Sequence, residues 1–187
     1  MATAKVLPEQ SVPGVPAASV EHAVSWPAIF AGATAAASIS LILIVLGMGL
    51  GFAAMSPWAS PVASEKAMGW STILWLSFAS LVSSGLGGYI SGRLRVRWPN
   101  TQPDEVYFRD TAHGFLSWGV ATLFTAAALS TVIGALIGTA DPVPVQVTEE
   151  MRRNAAYASL WIFFSLLLGA FTASLMATFG GRQRDLP

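Results

Sequence analysis

Four long apolar runs constrain the fold of this chain more than any other feature of its sequence. They lie at about residues 27–55, 69–92, 112–140 and 156–180, and none contains Asp, Glu, Lys or Arg. A helix needs roughly 20 residues to cross a hydrocarbon core of about 30 Å. Helices satisfy their own backbone hydrogen bonds in lipid, whereas a membrane barrel needs alternating segments of about ten residues. The sequence therefore predicts an all-α integral membrane protein, a four-transmembrane-helix bundle.

The composition supports this assignment. Charged residues make up 11% of the chain and its mean hydropathy is +0.58, against roughly 25% charged residues in soluble domains. Ten basic and ten acidic side chains cancel, so net charge does not indicate a nucleic-acid partner. Cysteine is absent, which excludes disulfides and thiolate chemistry, and two histidines disfavour a multi-histidine metal site. We expect no cofactor.

The charges outside the runs predict the domain organisation and topology. Residues 1–24 carry three prolines and read as a flexible cytoplasmic N-terminal arm, residues 25–181 as the transmembrane domain, and residues 182–187 as a short cytoplasmic tail. Four spans place both termini and the second loop on one side of the membrane. Seven basic residues lie there, against three on the other side, which predicts cytoplasmic termini. The seven are Lys5, Arg93, Arg95, Arg97, Arg109, Arg182 and Arg184.

Small residues recur at every fourth position on all four runs. Such stripes let helix backbones approach closely in lipid, where there is little hydrophobic force to drive association. The pattern indicates tight packing within the monomer, with a seam between molecules as the other interpretation. The candidate helix-packing residues are Gly32, Ala36, Gly47, Gly51, Ser84, Gly88, Gly92, Ser130, Gly134, Gly138, Gly169, Ala173 and Ala177.

Two further patterns concern the ends of the runs. Trp26, Trp58, Trp70, Trp98 and Tyr157 fall near the ends, where amphipathic rings favour the headgroup zone. Ser-Trp pairs near the starts of the first and third runs, at residues 25–26 and 117–118, are each followed by an Ala-Ala-x-Ser segment. This weak repeat is typical of two duplicated helical hairpins, although chance recurrence of small residues explains it equally well.

Polar candidates are few. Arg93, Arg95 and Arg97 follow the second run and could bind anionic lipid headgroups, or simply set the topology. Asp110 and His113 lie one turn apart at the entry to the third run. The plainer interpretation is a helix cap with an interfacial histidine, and the alternative is a pair of metal ligands or an acid–base couple.

The absence of charge within the runs argues against a transporter coupled to protons or sodium through carboxylates. A passive pore lined by hydroxyl groups stays open as an alternative, although such hydroxyls usually bond to carbonyls of their own helix. The candidate pore residues are Thr122, Thr125, Ser130, Thr131 and Thr172.

Three segments carry a resemblance to a known group: "SWPAIFAGATAA", "GGYISGRLR" and "RDTAHGFLSWGVATLF". With Ser25-Trp26, Gly87-Gly88 with Gly92-Arg93, and Asp110 with His113-Gly114 and Trp118, the chain resembles a family of small bacterial four-span inner-membrane proteins, some labelled PhnA-like. The resemblance covers all four spans. It implies an inner-membrane bundle and no activity. Phosphonate hydrolysis would need a metal cluster, for which the chain has no ligand set.

These patterns favour a non-catalytic membrane protein that acts through lateral helix packing. It would be an accessory subunit of a larger inner-membrane complex or a homo-oligomer. The expected partners are the lipid bilayer and other membrane subunits or a second copy, without nucleic acid. A small passive channel is the alternative function, and a metal-dependent activity at Asp110 and His113 is a more remote one.

Overall fold

The computed structural model describes residues 23–54, 61–138 and 147–186. Within these ranges the chain forms four helices and no strand: α1 (Trp26–Ala54), α2 (Pro61–Leu94), α3 (Pro103–Gly138) and α4 (Glu149–Asp185). Each contains a segment long and apolar enough to cross a membrane. The predicted all-α membrane fold is therefore confirmed. The N-terminal arm up to residue 22, and with it Lys5, lies outside the described residues, as does Trp58.

Three helices begin well before the predicted apolar runs. α2 starts at Pro61 instead of near residue 69, α3 at Pro103 instead of near residue 112, and α4 at Glu149 instead of near residue 156. Proline suits a first helical position, as in α2 and α3, and the acidic residues in the first turns of α3 and α4 complement the helix dipole. The Thr148 side chain caps α4 by accepting the Met151 amide at 3.2 Å. Because these turns lack apolar character, the length of the apolar runs does not include them in the spans.

The end of α4 also differs from the prediction. Residues 182–185 continue the helix, so the predicted tail is structured through Asp185. Likewise, the repeated Ser-Trp pairs occupy different places in their helices. Trp26 begins α1, whereas Trp118 lies about four turns inside α3.

The helices pack in the order α1, α2, α4, α3 around the bundle, with α2 also contacting α3 across it. In the described part of the chain, α1 and α4 do not pack against each other. The α2–α4 interface is the most extensive. There a Cβ at Gly88 or Gly92 would overlap the backbone carbonyl of Ala173 or Ala177. The glycines therefore allow contact between backbones that any larger residue would separate.

Burial is concentrated at one end of the bundle. We call this the arginine end; it comprises the start of α1, the end of α2, the start of α3 and the end of α4. Eight predicted packing residues are buried in this half of the bundle: Gly32, Ala36, Ser84, Gly88, Gly92, Gly169, Ala173 and Ala177.

The opposite end is much less packed. Gly47 lies under Trp75, whose Nε1 donates to the Leu43 carbonyl at 2.9 Å. Among the described residues, no heavy atom of a neighbouring helix would lie within 4 Å of a Cβ at Gly51 or Gly134. The described part of the chain therefore gives neither glycine an internal packing contact, and Ser130 is exposed, with its hydroxyl donating to its own helix. Gly138 ends α3, and its surroundings lie outside the described residues.

Candidate functional site at the arginine end

A short connection between α2 and α3 turns one arginine into the bundle. α2 ends at Leu94, and α3 begins at Pro103. Arg93 lies in the last turn of α2, and Arg95 and Arg97 lie in the connection, which has no regular secondary structure. Arg95 is fully buried, with 0% of its surface exposed, whereas Arg93 and Arg97 are exposed. The interpretation of Arg95 as a headgroup-binding residue is therefore wrong, because lipid cannot reach its guanidinium.

The Arg95 guanidinium is held by two carboxylates. It forms a bidentate pair with Asp110, through Nε to Oδ1 and Nη2 to Oδ2 (3.1 Å for the second contact). It forms another with Asp185, through Nη2 to Oδ2 at 2.6 Å and Nη1 to Oδ1 at 3.3 Å. Nη1 also donates to the Val96 carbonyl at 3.0 Å. All five N–H donors of the group are thus used, which is the arrangement that a buried guanidinium requires.

An aromatic ring supports the same guanidinium. The Cζ atom of Arg95 lies 4.5 Å from the centre of the Trp98 ring, and the Cζ atom of Arg109 lies 5.2 Å from the centre of the same ring. Burial lowers the pKa of Arg95, but its hydrogen bonds to Asp110 and Asp185 outweigh this effect and raise the pKa above its ordinary value. Arg95 therefore stays protonated. Trp98 is buried, so its ring contacts the protein interior and not the lipid.

His113 connects this group to the start of α1. Its Nδ1 lies 2.7 Å from the Arg109 carbonyl oxygen, which can only accept, so Nδ1 carries the proton. Nε2 then accepts the Ser25 backbone N–H at 2.8 Å. Ser25 immediately precedes α1, and its carbonyl accepts from Ile29. His113 thereby satisfies a backbone donor at the helix start and ties α1 to α3.

Asp110, His113, Arg95, Trp98 and Asp185 form what we call the Arg95 cluster. Sequence reasoning correctly placed Asp110 beside His113 but took Asp110 as a helix cap, which is wrong because α3 begins seven residues earlier. Both nitrogens of His113 and both oxygens of Asp110 already have protein partners. Among the described residues, no three His, Cys, Asp or Glu side chains are grouped to hold a metal ion. The geometry joins helices and presents no set of ligands.

Asp185 is the member that sequence reasoning missed. It lies ninety residues from Arg95, and the only local signal is an acidic residue within a basic segment. Gly181 lies one turn before Asp185 on α4 and packs against the Asp110 carboxylate. A Cβ there would overlap the Asp110 carboxylate, so the glycine is what lets α4 approach α3 at this point.

A second set of contacts joins the exposed arginines to the end of α4. Arg97 donates through Nε and Nη2 to the Arg184 carbonyl at 3.1 and 2.9 Å, and through Nη2 to the Leu186 carbonyl at 2.9 Å. Arg93 donates to the Gln183 carbonyl. In return, Arg184 Nε donates to the Arg95 carbonyl at 3.2 Å. The last carbonyls of a helix lack intrahelical partners, and arginine side chains supply them here.

A small cavity of about 220 Å³ lies between all four helices, beyond the tightly packed layer of the arginine end. Two of the predicted pore residues, Thr122 and Thr125, contribute to its wall. The Thr125 hydroxyl donates to the Ala121 carbonyl of its own helix. Thr131 and Thr172 are elsewhere and also bond to their own helices. The other hydroxyl-bearing residues of the wall are Ser40, Ser80, Ser83 and Ser84.

No protein-family model matches the chain, and no curated protein and no solved structure matches it.

Proposed function

We propose that this is a non-catalytic membrane protein that binds neighbouring membrane helices laterally, either as a homo-oligomer or as an accessory subunit of a larger membrane complex. The observation that carries the proposal is the division of its small-residue stripes. At the arginine end, the backbone of α4 occupies the space beside glycines such as Gly88 and Gly92. At the opposite end, no neighbouring helix in the described part of the chain lies against Gly51 or Gly134.

Open glycine positions matter more here than exposed apolar side chains. In lipid, an exposed leucine is already surrounded by an environment as apolar as itself and gains little from a partner. A glycine on a helix surface leaves a notch where another helix can approach closely, with gain in dispersion and backbone contact. Gly51 on α1 and Gly134 on α3 provide such notches on two different helices of the less packed half.

The Arg95 cluster gives this binding a rigid base. It holds α2, α3 and α4 together through Arg95, Asp110 and Asp185, and His113 adds α1. All four helices are therefore fixed at one end while their lateral faces at the other end stay accessible. We further propose that this fixed end is cytoplasmic and that the membrane is a bacterial inner membrane, on the basis of the arginine distribution and the family resemblance.

Purification in a mild detergent from native membranes, followed by mass determination, tests the proposal. We expect a defined homo-oligomer or a stoichiometric complex. Gly51→Leu and Gly134→Leu should fill the notches and reduce that species, while the monomer stays folded. Ala128→Leu is the matched control, because residue 128 is exposed on α3 and lies about 120° around the helix from Gly134. A wild-type protein that is monomeric and without partners would contradict the proposal.

The hydroxyl-lined cavity favours a second candidate, a passive facilitator for a small polar solute. Its wall carries hydroxyl oxygens from three helices, α1, α2 and α3, as such a path requires. Between it and the arginine end, however, lies the layer in which Gly32 and Gly87 bring α1 and α2 into backbone contact. Flux of water or small solutes into proteoliposomes tests this candidate. A flux equal to that of empty vesicles excludes it.

A further inference from the structure

A basic groove of about 660 Å³ lies on the surface of the arginine end. Its lining residues are Arg93, Leu94, Arg97, Gln183, Arg184 and Leu186. Three of the six are cationic, and none is acidic. Asp185, which follows Arg184 in the sequence, directs both oxygens to the buried Arg95. Among the described residues, the groove is therefore lined by three cationic side chains and no carboxylate.

The arginines of this groove keep unused donors. Each guanidinium has five N–H groups. Within the described residues, Arg184 uses only Nε, which donates to the Arg95 carbonyl, and Arg93 uses only Nη1. Arg97 uses Nε and Nη2 and leaves Nη1 without a protein acceptor. These hydrogen bonds hold Arg93 and Arg97 against the end of α4 and Arg184 against the Arg95 carbonyl, so their remaining donors are already oriented before any ligand binds. Such preorganisation lowers the entropic cost of binding.

The groove also lies at the depth of lipid headgroups. The apolar segment of α2 ends at Leu94, so Arg93 is placed at the edge of the membrane-spanning region. Leu94 and Leu186 line the groove and expose 58% and 63% of their surfaces. A ligand with an anionic group and adjacent hydrocarbon fits this combination of charge and apolar flank. A fully hydrophilic anion would leave both leucines without a role.

We propose that the basic groove binds the phosphate of an anionic phospholipid, with Arg93, Arg97 and Arg184 as its donors and Leu94 and Leu186 against the start of the acyl chains. Arginine suits a phosphate because its planar fork donates two parallel hydrogen bonds to it. This site is independent of the proposed lateral binding, which uses the opposite end of the bundle.

The test is the binding of phosphatidylglycerol to the purified full chain in lipid nanodiscs, with phosphatidylcholine as the zwitterionic comparison. We expect preferential binding of phosphatidylglycerol that weakens as salt is raised. Arg93→Gln and Arg184→Gln should each lower the affinity about fivefold, and the double variant about thirtyfold. Arg184→Lys, which keeps the charge, should retain more affinity than Arg184→Gln.

Arg153→Gln is the matched control, because Arg153 is an exposed arginine at the other end of α4 and should leave affinity unchanged. Equal affinity in wild type and the double variant, with both folded by circular dichroism, would overturn the proposal. A third measurement adds inorganic phosphate to the detergent-solubilised protein with bound phosphatidylglycerol. Displacement of the lipid by an equal concentration of phosphate would also overturn the proposal, because the groove would then recognise a free anion without acyl chains.

Discussion

Arg95 and Asp185 are ninety residues apart in the chain, yet Nη2 of the first lies 2.6 Å from Oδ2 of the second. With Asp110 on the other side of the guanidinium, this contact joins the end of α2 to α3 and α4 at one point. The two carboxylates are not equivalent. The Asp110 side chain is almost completely buried, whereas that of Asp185 is 41% exposed.

This difference predicts unequal costs of removing the two carboxylates. Asp110→Ala leaves a buried charge without its principal partner and should destabilise the fold by about 3–5 kcal/mol. Asp185→Ala removes a partly solvated partner and should cost about 1 kcal/mol. Unfolding of the purified protein in detergent micelles measures both. Glu149→Ala, which breaks an exposed pair with Arg152, is the control and should change stability by less than about 0.5 kcal/mol. Equal costs for Asp110 and Asp185 would contradict this assignment.

His113→Ala should loosen the start of α1. The variant removes the acceptor of the partly buried Ser25 N–H, which should cost about 1 kcal/mol. Hydrogen exchange should accelerate at the amide of Ser25 and in the first turn of α1, while the middle of α1 stays protected. Unchanged exchange at Ser25 would show that this hydrogen bond does not hold the helix start in solution.

Ser117→Ala, unlike His113→Ala, should not reduce the stability of the fold. Ser117 lies one turn beyond His113 on α3 and is fully buried, and its hydroxyl has no hydrogen-bond partner in the described part of the chain. Alanine removes the unsatisfied group at little cost in packing. We expect a change between neutral and about 1 kcal/mol of stabilisation in the same micelle unfolding assay. A clear loss of stability would mean that the hydroxyl has a partner, such as a bound water.

Glycine-to-alanine substitutions should affect stability differently at the two ends of the bundle. Gly92→Ala places a Cβ against the Ala177 carbonyl, so α2 and α4 must move apart, at a cost of about 1–3 kcal/mol or more. Gly134→Ala meets open space and should be neutral or stabilise the monomer by up to about 1 kcal/mol, because alanine favours helix. Thermal unfolding of the monomer compares the two directly. Similar effects would mean that the two ends are packed alike.

The four helices could be predicted because apolar run length alone specifies a membrane helix. The first turns of α2, α3 and α4 lie outside these runs, since residues 61–68, 103–111 and 149–155 include charged side chains. The Arg95 cluster could not be predicted from the sequence for a different reason. Arg93, Arg95 and Arg97 are equivalent in local sequence, and only the turn after α2 decides which one faces inward. Its second carboxylate comes from Asp185, and no local pattern links positions so far apart.

The spacing of the two carboxylates along the chain has a consequence for biosynthesis. At about 5–20 residues per second, Asp110 follows Arg95 out of the ribosome within roughly 1–3 s, whereas Asp185 arrives roughly 5–20 s after Arg95. Arg95 can therefore pair with Asp110 soon after synthesis, whereas its second counter-ion, Asp185, is made later. The Arg95–Asp185 contact therefore cannot form before α4 has been synthesised, so closure of the bundle around Arg95 follows the synthesis of all four helices.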